Sequence, residues 1–309
     1  MLDHKECYLQ VNRMLLIVNP VARHGKSGQM LPVIRRLLHH QPHEIVLTNQ
    51  MGHAFEIASQ SSKYDLVVAA GGDGTVHEVL NGLMSIPEEE RPVLGVLPTG
   101  SGNDTCRTLG VPFDLSEAIM VLATGRTRRF DIGVCNGVHF NNSFAAGFDA
   151  KVTAKAVELK TTTQLSGISL YLTALLNTVF RDLQSFKMRI TFDEQAPVET
   201  EKLIIAVTNG PTYGGGFRIT PDASPFDGVF DVCTIDPLSL SQTLMRLPFV
   251  IFGKHVNMKP VKMSRHTSVL IESETPLPAQ IDGEVFLEDR YEIRILPAAI
   301  ECMVPKESK

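Results

Sequence analysis

Asp65-Leu66-Val67-Val68-Ala69-Ala70-Gly71-Gly72-Asp73-Gly74-Thr75-Val76-His77-Glu78-Val79-Leu80-Asn81-Gly82 is the stretch that decides the fold. An apolar run of buried-strand length meets a glycine turn holding one carboxylate, and Val76, Val79, Leu80 and Leu83 then recur at helical spacing. Strand, tight loop and helix follow. The first helical N–H groups at such a junction lack backbone partners, and the peptide dipoles sum towards the loop, so an anion placed there is stabilised. Gly71, Gly72 and Gly74 are expected to supply positive φ and a surface free of Cβ atoms. Asp73 would repel a bare phosphate, which points to a hydrated Mg2+ between carboxylate and polyphosphate. A generic α/β turn with a solvated aspartate is the plainer alternative.

Two stricter phosphate motifs fail. G-x-G-x-x-G read from Gly72 meets His77 at its last position, and the segment from Asn19 to Ser27 ends like a P-loop but lacks the first glycine. Neither a Rossmann dinucleotide site nor a Walker ATPase is supported.

Working outward, Met14-Leu15-Leu16-Ile17-Val18 is a strand that Asn19-Pro20 ends. Val21 to Gly28 reads as a polar loop, and Met30, Ile34, Leu37 and Leu38 share a helix face with Pro32 in its first turn. Glu44 to Leu47 gives a second strand closing at Thr48, and Ala54 to Gln60 a short helix. Val93 to Leu97 is a fourth strand that runs into Pro98-Thr99-Gly100-Ser101-Gly102-Asn103-Asp104. Asp114 and Glu117 then mark a helix start. Strands alternating with helices imply a doubly wound parallel sheet, whose ligands gather outside the carboxyl ends of the strands. The loops that begin at Asn19, Gly71 and Pro98 should converge on one crevice.

After about Arg126 the rhythm changes. Asn136-Gly137 between two short β-like runs signals a hairpin. Two helices, near Ala150 to Glu158 and Ile168 to Leu183, precede a succession of short strands from Met188 to Ile295. The expected plan is an α/β domain over residues 13–126 and a mostly antiparallel β-rich domain with a few helices over 127–300.

The chain has 309 residues, 43% of them apolar, and a net charge of −5, so it lacks the basic footprint that nucleic acid needs. Met1 to Cys7 contains acids and no signal-peptide core, and no run reaches the roughly 18 apolar residues of a membrane span. A cytoplasmic protein without a transmembrane segment is expected. Cys7, Cys106, Cys135, Cys233 and Cys302 are scattered and odd in number, which supports neither a disulfide framework nor a zinc site.

Together the motifs resemble the diacylglycerol kinase catalytic-domain family, in particular its bacterial soluble lipid kinases, with sphingosine and ceramide kinases as relatives. The likeness runs from about Met14 to Leu296. It rests on Asn19-Pro20, Gly71 to Thr75 with His77-Glu78 and Asn81-Gly82, Pro98 to Asp104, Asp131-Ile132-Gly133, Gly147 to Ala150, Pro221-Asp222-Ala223 with Asp227-Gly228, and Ile281 to Glu284. The glycine motif alone is shared with NAD kinases and phosphofructokinases, whose α/β fold the first domain is expected to adopt.

The resemblance implies an ATP-dependent lipid kinase whose acceptor is a lipid hydroxyl, of diacylglycerol, a sphingoid base or another lipid. Nucleotide positions carried over are Asn19, Pro20, Val21, Ala22, Arg23, Thr48, Gly71, Gly72, Asp73, Gly74, Thr75, Val76, His77 and Ser101. Glu284 matches the family's base. A structural Mg2+ would be held by the Asp227 side chain and the carbonyls of Ser224 and Val229, and Asp131 resembles an acid linked to the nucleotide through metal and water. Two departures stand out. Phe226 precedes Asp227 where several members carry paired acids, and Ser101 replaces the commoner Thr, which leans towards the sphingosine kinase pattern and keeps a hydroxyl for a phosphate.

In this reading the 71–77 amides hold phosphates, Asp73 holds Mg2+ through water, Arg23 or Lys26 adds positive charge, and Glu284 takes the acceptor's proton. Read without the family, Asp282-Gly283 is a hairpin turn with Glu284 beside it, and Asp227-Gly228 a plain β-turn. His77 either touches a phosphate or is satisfied within its helix. Gly214-Gly215-Gly216 opens space for a head group or forms a loop, and Arg126, Arg128 and Arg129 read as a solvated face. The Ile168–Phe180 stretch is too short to span a bilayer and reads as a packed helix, with an acyl groove as the sharper alternative. Partners are a lipid substrate met by peripheral contact at a membrane surface, and a second copy in a homodimer. The rivals are a soluble kinase of the NAD kinase type and a non-catalytic nucleotide- or lipid-binding protein.

Overall fold

The computed structural model describes residues 11–306, so Cys7 and the rest of the first ten residues lie outside it. The chain forms two compact units, one made of the described residues up to Phe130 together with those from Ala298, the other of Asp131–Pro297.

In the first unit β1 (Met14–Val18), β2 (His43–Leu47), β3 (Leu66–Gly71) and β4 (Val93–Pro98) are parallel, in the spatial order β4-β3-β1-β2. Every residue of β1, β3 and β4 is buried, the signature of central parallel strands covered on both faces. The tail returns to this sheet, Cys302 pairing with Leu94 in parallel register. Nothing in the local sequence pattern of the tail announces that return. The connections are α1 (Lys26–Gln29), α2 (Leu31–Leu37), α3 (His53–Ser59), α4 (Asp73–Met84), α5 (Asp104–Leu109) and α6 (Leu115–Thr124). The helical turn α1 begins within the Val21–Gly28 stretch expected as a loop, and α5 begins at Asp104, the last residue of the Pro98–Asp104 loop. Each follows a residue in the left-handed region, Gly25 at φ 83° and Asn103 at φ 54°, which lets the chain turn into a helix directly from the preceding loop.

Val76, Val79, Leu80 and Leu83 of α4 are all buried, as their spacing predicts. Each contributes roughly 1.5–3 kcal/mol by leaving water. Asp114 caps α6, its carboxylate accepting from the Ser116 and Glu117 amides. Gly82 explains itself in the packing of α4 on α3. A Cβ there would stand 2.6 Å from the Phe55 carbonyl and 2.7 Å from the Ala58 Cβ.

The second unit is mostly antiparallel. The hairpin of β5 (Arg126–Cys135) and β6 (Val138–Phe140) turns at Asn136 and Gly137, both at positive φ, as the Asn-Gly pair predicts. β7 (Ser143–Gly147) leads into α7 (Phe148–Thr162) and α8 (Gly167–Asp182). β8 (Phe186–Phe192), β9 (Val198–Lys202), β10 (Ile204–Thr208), β11 (Phe230–Ile235), α9 (Leu240–Ile251), β12 (Val261–His266), β13 (Ser268–Ile281) and β14 (Glu284–Val304) complete the chain. The path β12-β11-β10-β7-β13-β14 is antiparallel throughout. One face buries Phe140, Phe144, Phe230 and Tyr291, and another apolar cluster joins Phe148, Tyr171 and Phe217 to α7, α8 and α9. No helix among the described residues is long and apolar enough to cross a membrane.

The close α3–α4 approach carries a test. Gly82→Ala gains up to about 1 kcal/mol of helix propensity but must displace the Phe55 backbone, so a net loss of roughly 1–2 kcal/mol is expected, read as a lower melting temperature.

Candidate functional site

β1, β3 and β4 are neighbours and end on the same edge, so the loops after them meet. The Asn19 amide donates to the Ala70 carbonyl at 3.0 Å and its side chain reaches Thr75 Oγ1 at 3.3 Å, while Asn19 Oδ1 accepts from the Val21 amide. The Ser27 hydroxyl meets Thr99 Oγ1 at 3.1 Å, both fully buried. A Cβ on Gly28 would stand 3.0 Å from the Pro20 carbonyl. Arg23, His24 and Gly25 occupy the left-handed region one after another, at φ 52°, 53° and 83°, with Arg23 and Lys26 exposed. Two non-glycine residues held there are a local strain that the surrounding loop must impose. Ala22 is half-buried and Val21 exposed, and Thr48 is buried beyond β2, its amide donating to Val18.

The glycines work differently from the sequence expectation. None of Gly71, Gly72 and Gly74 has positive φ. Gly71 is required because a Cβ would fall 2.3 Å from Thr75 Oγ1, whereas at Gly74 a Cβ would meet nothing within 4 Å. Gly72 caps α4 in extended conformation, φ −89° and ψ −177°. Its closest constraint is Gly100, where a Cβ would stand 2.3 Å from the Gly72 Cα. The glycines thus permit backbone-to-backbone contact and leave the first turn of α4 uncovered at Gly74.

Asp73 braces two loops. Its Oδ1 accepts from the Thr105 amide at 3.2 Å and from the Thr105 hydroxyl at 3.4 Å, at the start of α5. Asn103 closes the 98–104 loop by bonding both the amide and the carbonyl of Gly100. Arg107 donates to the Gly102 carbonyl at 2.6 Å and to buried Asp104 at 2.9 Å. Ser101 lies half-buried on this loop. Thr105 and Arg107 were not singled out from sequence, and Asn103 only as part of the Pro98–Asp104 motif. The legible signal was Asp104 and Arg107 at helical spacing directly after the glycine loop. His77 is buried beside Asn81, which also donates to its carbonyl, and Glu78 accepts from the Ala54 amide at the start of α3. Cys106 is buried near Asp73, and burial first, then the neighbouring charge, pushes its thiol up.

In the second unit Glu284 opens β14, paired with Ile281 across the Asp282-Gly283 turn. Both turn residues have positive φ, 47° and 93°. The turn is unusually well anchored, since Asp282 accepts from the amides of Asn141, Asn142 and Ser143 at 2.9–3.1 Å. Gly283 donates to Gln280 Oε1 at 2.8 Å. Glu284 is therefore an exposed carboxylate on a fixed hairpin.

Asp131 is buried and accepts from the Gly228 amide at 2.8 Å, while its own amide donates to Pro225. It anchors the 225–228 turn. Asp227 accepts from the Val229 amide and is ion-paired with Arg265, which also approaches Asp231 at 3.8 Å. Asp222, Asp227, Asp231, Met263, Ser264 and Arg265 line a cavity of about 390 Å3. Burial raises the Asp231 carboxyl, with Arg265 opposing and Asp227 and Asp222 adding to the rise. Ser224 and Val229 are half-buried beside Asp227. No group of three His, Cys, Asp or Glu residues among the described residues could hold a metal. The single carboxylate that a metal would use already faces a guanidinium, so the residues fit a resident divalent ion poorly.

Asp149, from the Gly147–Ala150 motif, is buried under α8, with the Tyr171 hydroxyl donating to it at 2.5 Å. Burial pushes its carboxyl up to about 6. Gly214, Gly215 and Gly216 all have positive φ, and a Cβ on Gly214 would touch the Tyr171 ring at 3.0 Å. The loop is packed against α8. Arg129 pairs with Glu88, both more than half exposed, on a solvated face.

Residues 13–135 match the family described as the diacylglycerol kinase catalytic domain, and residues 142–304 match the YegS C-terminal NAD kinase beta sandwich-like domain. The chain is 31% identical over 263 residues to a diacylglycerol kinase of Bacillus subtilis (strain 168), covering 84% of this chain and 85% of that one. It is 29% identical over 293 residues to a Chromohalobacter salexigens protein named "Probable lipid kinase YegS-like", with 92% of each covered. A crystal structure of a diacylglycerol kinase from Bacillus anthracis str. Sterne superposes with a TM-score of 0.75 at 26% identity, over 96% of this chain and 98% of that one. An NAD kinase from Archaeoglobus fulgidus in complex with ATP shares the fold, with a TM-score of 0.52 at 13% identity over 94% of this chain and 93% of that one.

Two outcomes follow. Gly100→Ala should lower the melting temperature through a loss of about 1–3 kcal/mol, because the Gly72 backbone cannot give way, whereas Gly74→Ala should melt like the parent. For Asp149 the folded carboxyl keeps its proton to higher pH than the unfolded one. Its cost is absent below the ordinary value of 3.8 and complete above about 6. Stability should fall as pH rises through that window, by on the order of 3 kcal/mol at most from this group, and Asp149→Asn should flatten that part of the denaturation-against-pH curve.

Proposed function

The chain belongs to the diacylglycerol kinase catalytic-domain family, and from that premise we propose that it is an ATP-dependent lipid kinase, moving the γ-phosphoryl group to a hydroxyl of diacylglycerol, a sphingoid base or a similar lipid. The observation that carries the reading is the meeting of the 19–28, 71–75 and 98–104 loops around the open first turn of α4 at Gly74. That turn directs backbone N–H groups and the positive end of a helix dipole at one spot, as a polyphosphate requires.

Phosphoryl transfer asks a protein for alignment and charge neutralisation more than for covalent chemistry. The rigid loops supply alignment. Arg23 and Lys26 are exposed on the first loop and supply charge. Magnesium enters with ATP as part of the substrate, and Asp73, which Thr105 holds in place, lies beside the amides that take the phosphates. The lipid oxygen bonds to the γ-phosphorus as the bond from that phosphorus to the β–γ bridging oxygen breaks. Glu284 takes the hydroxyl proton, and ADP departs with the bridging oxygen. A carboxylate on a hairpin pinned by Asp282 is held in place for such a role.

Glu284→Gln should lower turnover by roughly 100- to 10,000-fold while ATP affinity by calorimetry stays within a factor of about two. Unchanged turnover would remove Glu284 as the base. With labelled ATP and a panel of extracted lipids, label should enter the organic phase. Label in an aqueous product would favour a soluble acceptor, and no label in any product a non-catalytic binding protein.

A further inference from the structure

The helix α9 is amphipathic in a way that the core does not use up. Ser239 and Gln242 form a reciprocal capping box at its start, and Leu244, Val250 and Ile251 pack against the apolar cluster that includes Phe148, Tyr171 and Phe217. Met245, Phe249 and Phe252 point the other way, 69%, 43% and 68% exposed. Their spacing of four and three places them one above another on a single face. No residue of α9 is fully buried. Three large apolar side chains stacked outward on one short helix are a surface in want of a partner.

Charge identifies the partner. The 35 residues from Pro237 to Ile271 contain no Asp or Glu, in a chain with 34 acids and a net charge of −5. The same stretch carries Arg246, Lys254, Lys259, Lys262 and Arg265. Arg265 is committed to Asp227. Lys254 follows the helix end, its amide bonded to the Phe249 carbonyl at 2.7 Å behind Gly253 at φ 68°, and Lys254, Lys259 and Lys262 are exposed. Outward Met and Phe side chains with basic residues around them, and no acid over a long run, match the interface of an anionic bilayer. There the apolar tips enter the acyl boundary and the cations meet head groups.

We propose that the Met245–Phe249–Phe252 face of α9, with Arg246 and Lys254, docks the protein onto an anionic lipid surface. The proposal rests on the lipid-kinase reading for its purpose, since a kinase with no membrane-crossing helix among its described residues must still meet a lipid acceptor. It stands on the helix and its charge for its location.

The test is cosedimentation of the full chain with vesicles of phosphatidylcholine alone and of phosphatidylcholine with phosphatidylglycerol. Binding is expected only to the second, weakening as salt rises. A variant with Met245→Ser, Phe249→Ser and Phe252→Ser should lose at least about tenfold in vesicle partition, while melting temperature and phosphorylation of a water-soluble short-chain diacylglycerol remain those of the parent. Lys254→Glu with Lys259→Glu should weaken binding without touching the apolar face. Equal binding to both vesicle types, or binding undiminished in the triple variant, overturns the proposal. So does a parent dimer that becomes a monomer in that variant, because the face would then belong to a second copy. Vesicle binding that behaves as expected in a chain that phosphorylates no lipid would leave the docking face standing and overturn the kinase reading alone.

Discussion

Two hydrogen bonds from Thr105 to Asp73, beside a backbone contact at Gly72 and Gly100 too close for any side chain, hold the rest of the first site together. The strands β3 and β4 run parallel in exact neighbouring register from Leu66 opposite Val93 to Gly71 opposite Pro98, so their loops emerge side by side. Side-by-side loops would still splay if both carried Cβ atoms. Glycine costs conformational entropy in each loop, and the gain is a surface where two backbones touch and a third loop, through Asn19 and Ser27, closes against them. A surface built from main-chain amides has no long side chains to adjust, so its precision must come from this bracing.

The second unit achieves rigidity by other means. Its exposed hairpin at Asp282-Gly283 is held by a carboxylate accepting three consecutive amides, and its 225–228 turn by Asp131, whose carboxylate accepts from the Gly228 amide and whose own amide donates to the Pro225 carbonyl. Both aspartates spend their charge on backbone N–H groups, a strong use of a carboxylate. Arg265 does for Asp227 what a bound cation would do, and it does so without leaving the chain.

What the sequence reveals divides along physical lines. The parallel strands are legible because both faces are buried, so residues such as Leu66 to Ala70 read as an unbroken apolar run. The Asn136-Gly137 and Asp282-Gly283 turns are legible because left-handed backbone selects its residues. The return of the tail to pair Cys302 with Leu94 is illegible, since pairing across more than two hundred residues leaves no local signature. β12 and α9 are missed for a different reason. Val261 to His266 alternates too weakly between apolar and polar, and Pro248 within α9 argues against a helix that its capping box and core contacts nevertheless sustain. The residues of the loops after β1, β3 and β4 are legible as a set, but their mechanics are not. Gly71 and Gly100 are chosen by contact distance rather than by φ, and no one-dimensional pattern reports a distance.

Net charge is a poor guide to how such a chain meets anions. At physiological ionic strength an exposed charge is felt over about 8 Å, so a polyphosphate or a head group responds to its immediate surroundings and hardly to the −5 of the whole. Local enrichment is therefore the quantity that matters. Arg23 and Lys26 sit on the loop that follows β1, whereas the acid-free run from Pro237 to Ile271 carries Arg246 within α9 and Lys254 directly after it. An acidic remainder sharpens both, because it penalises every orientation that brings the wrong surface to an anion. An overall negative protein with two small positive regions discriminates between anionic targets better than a uniformly basic one, which would bind them all.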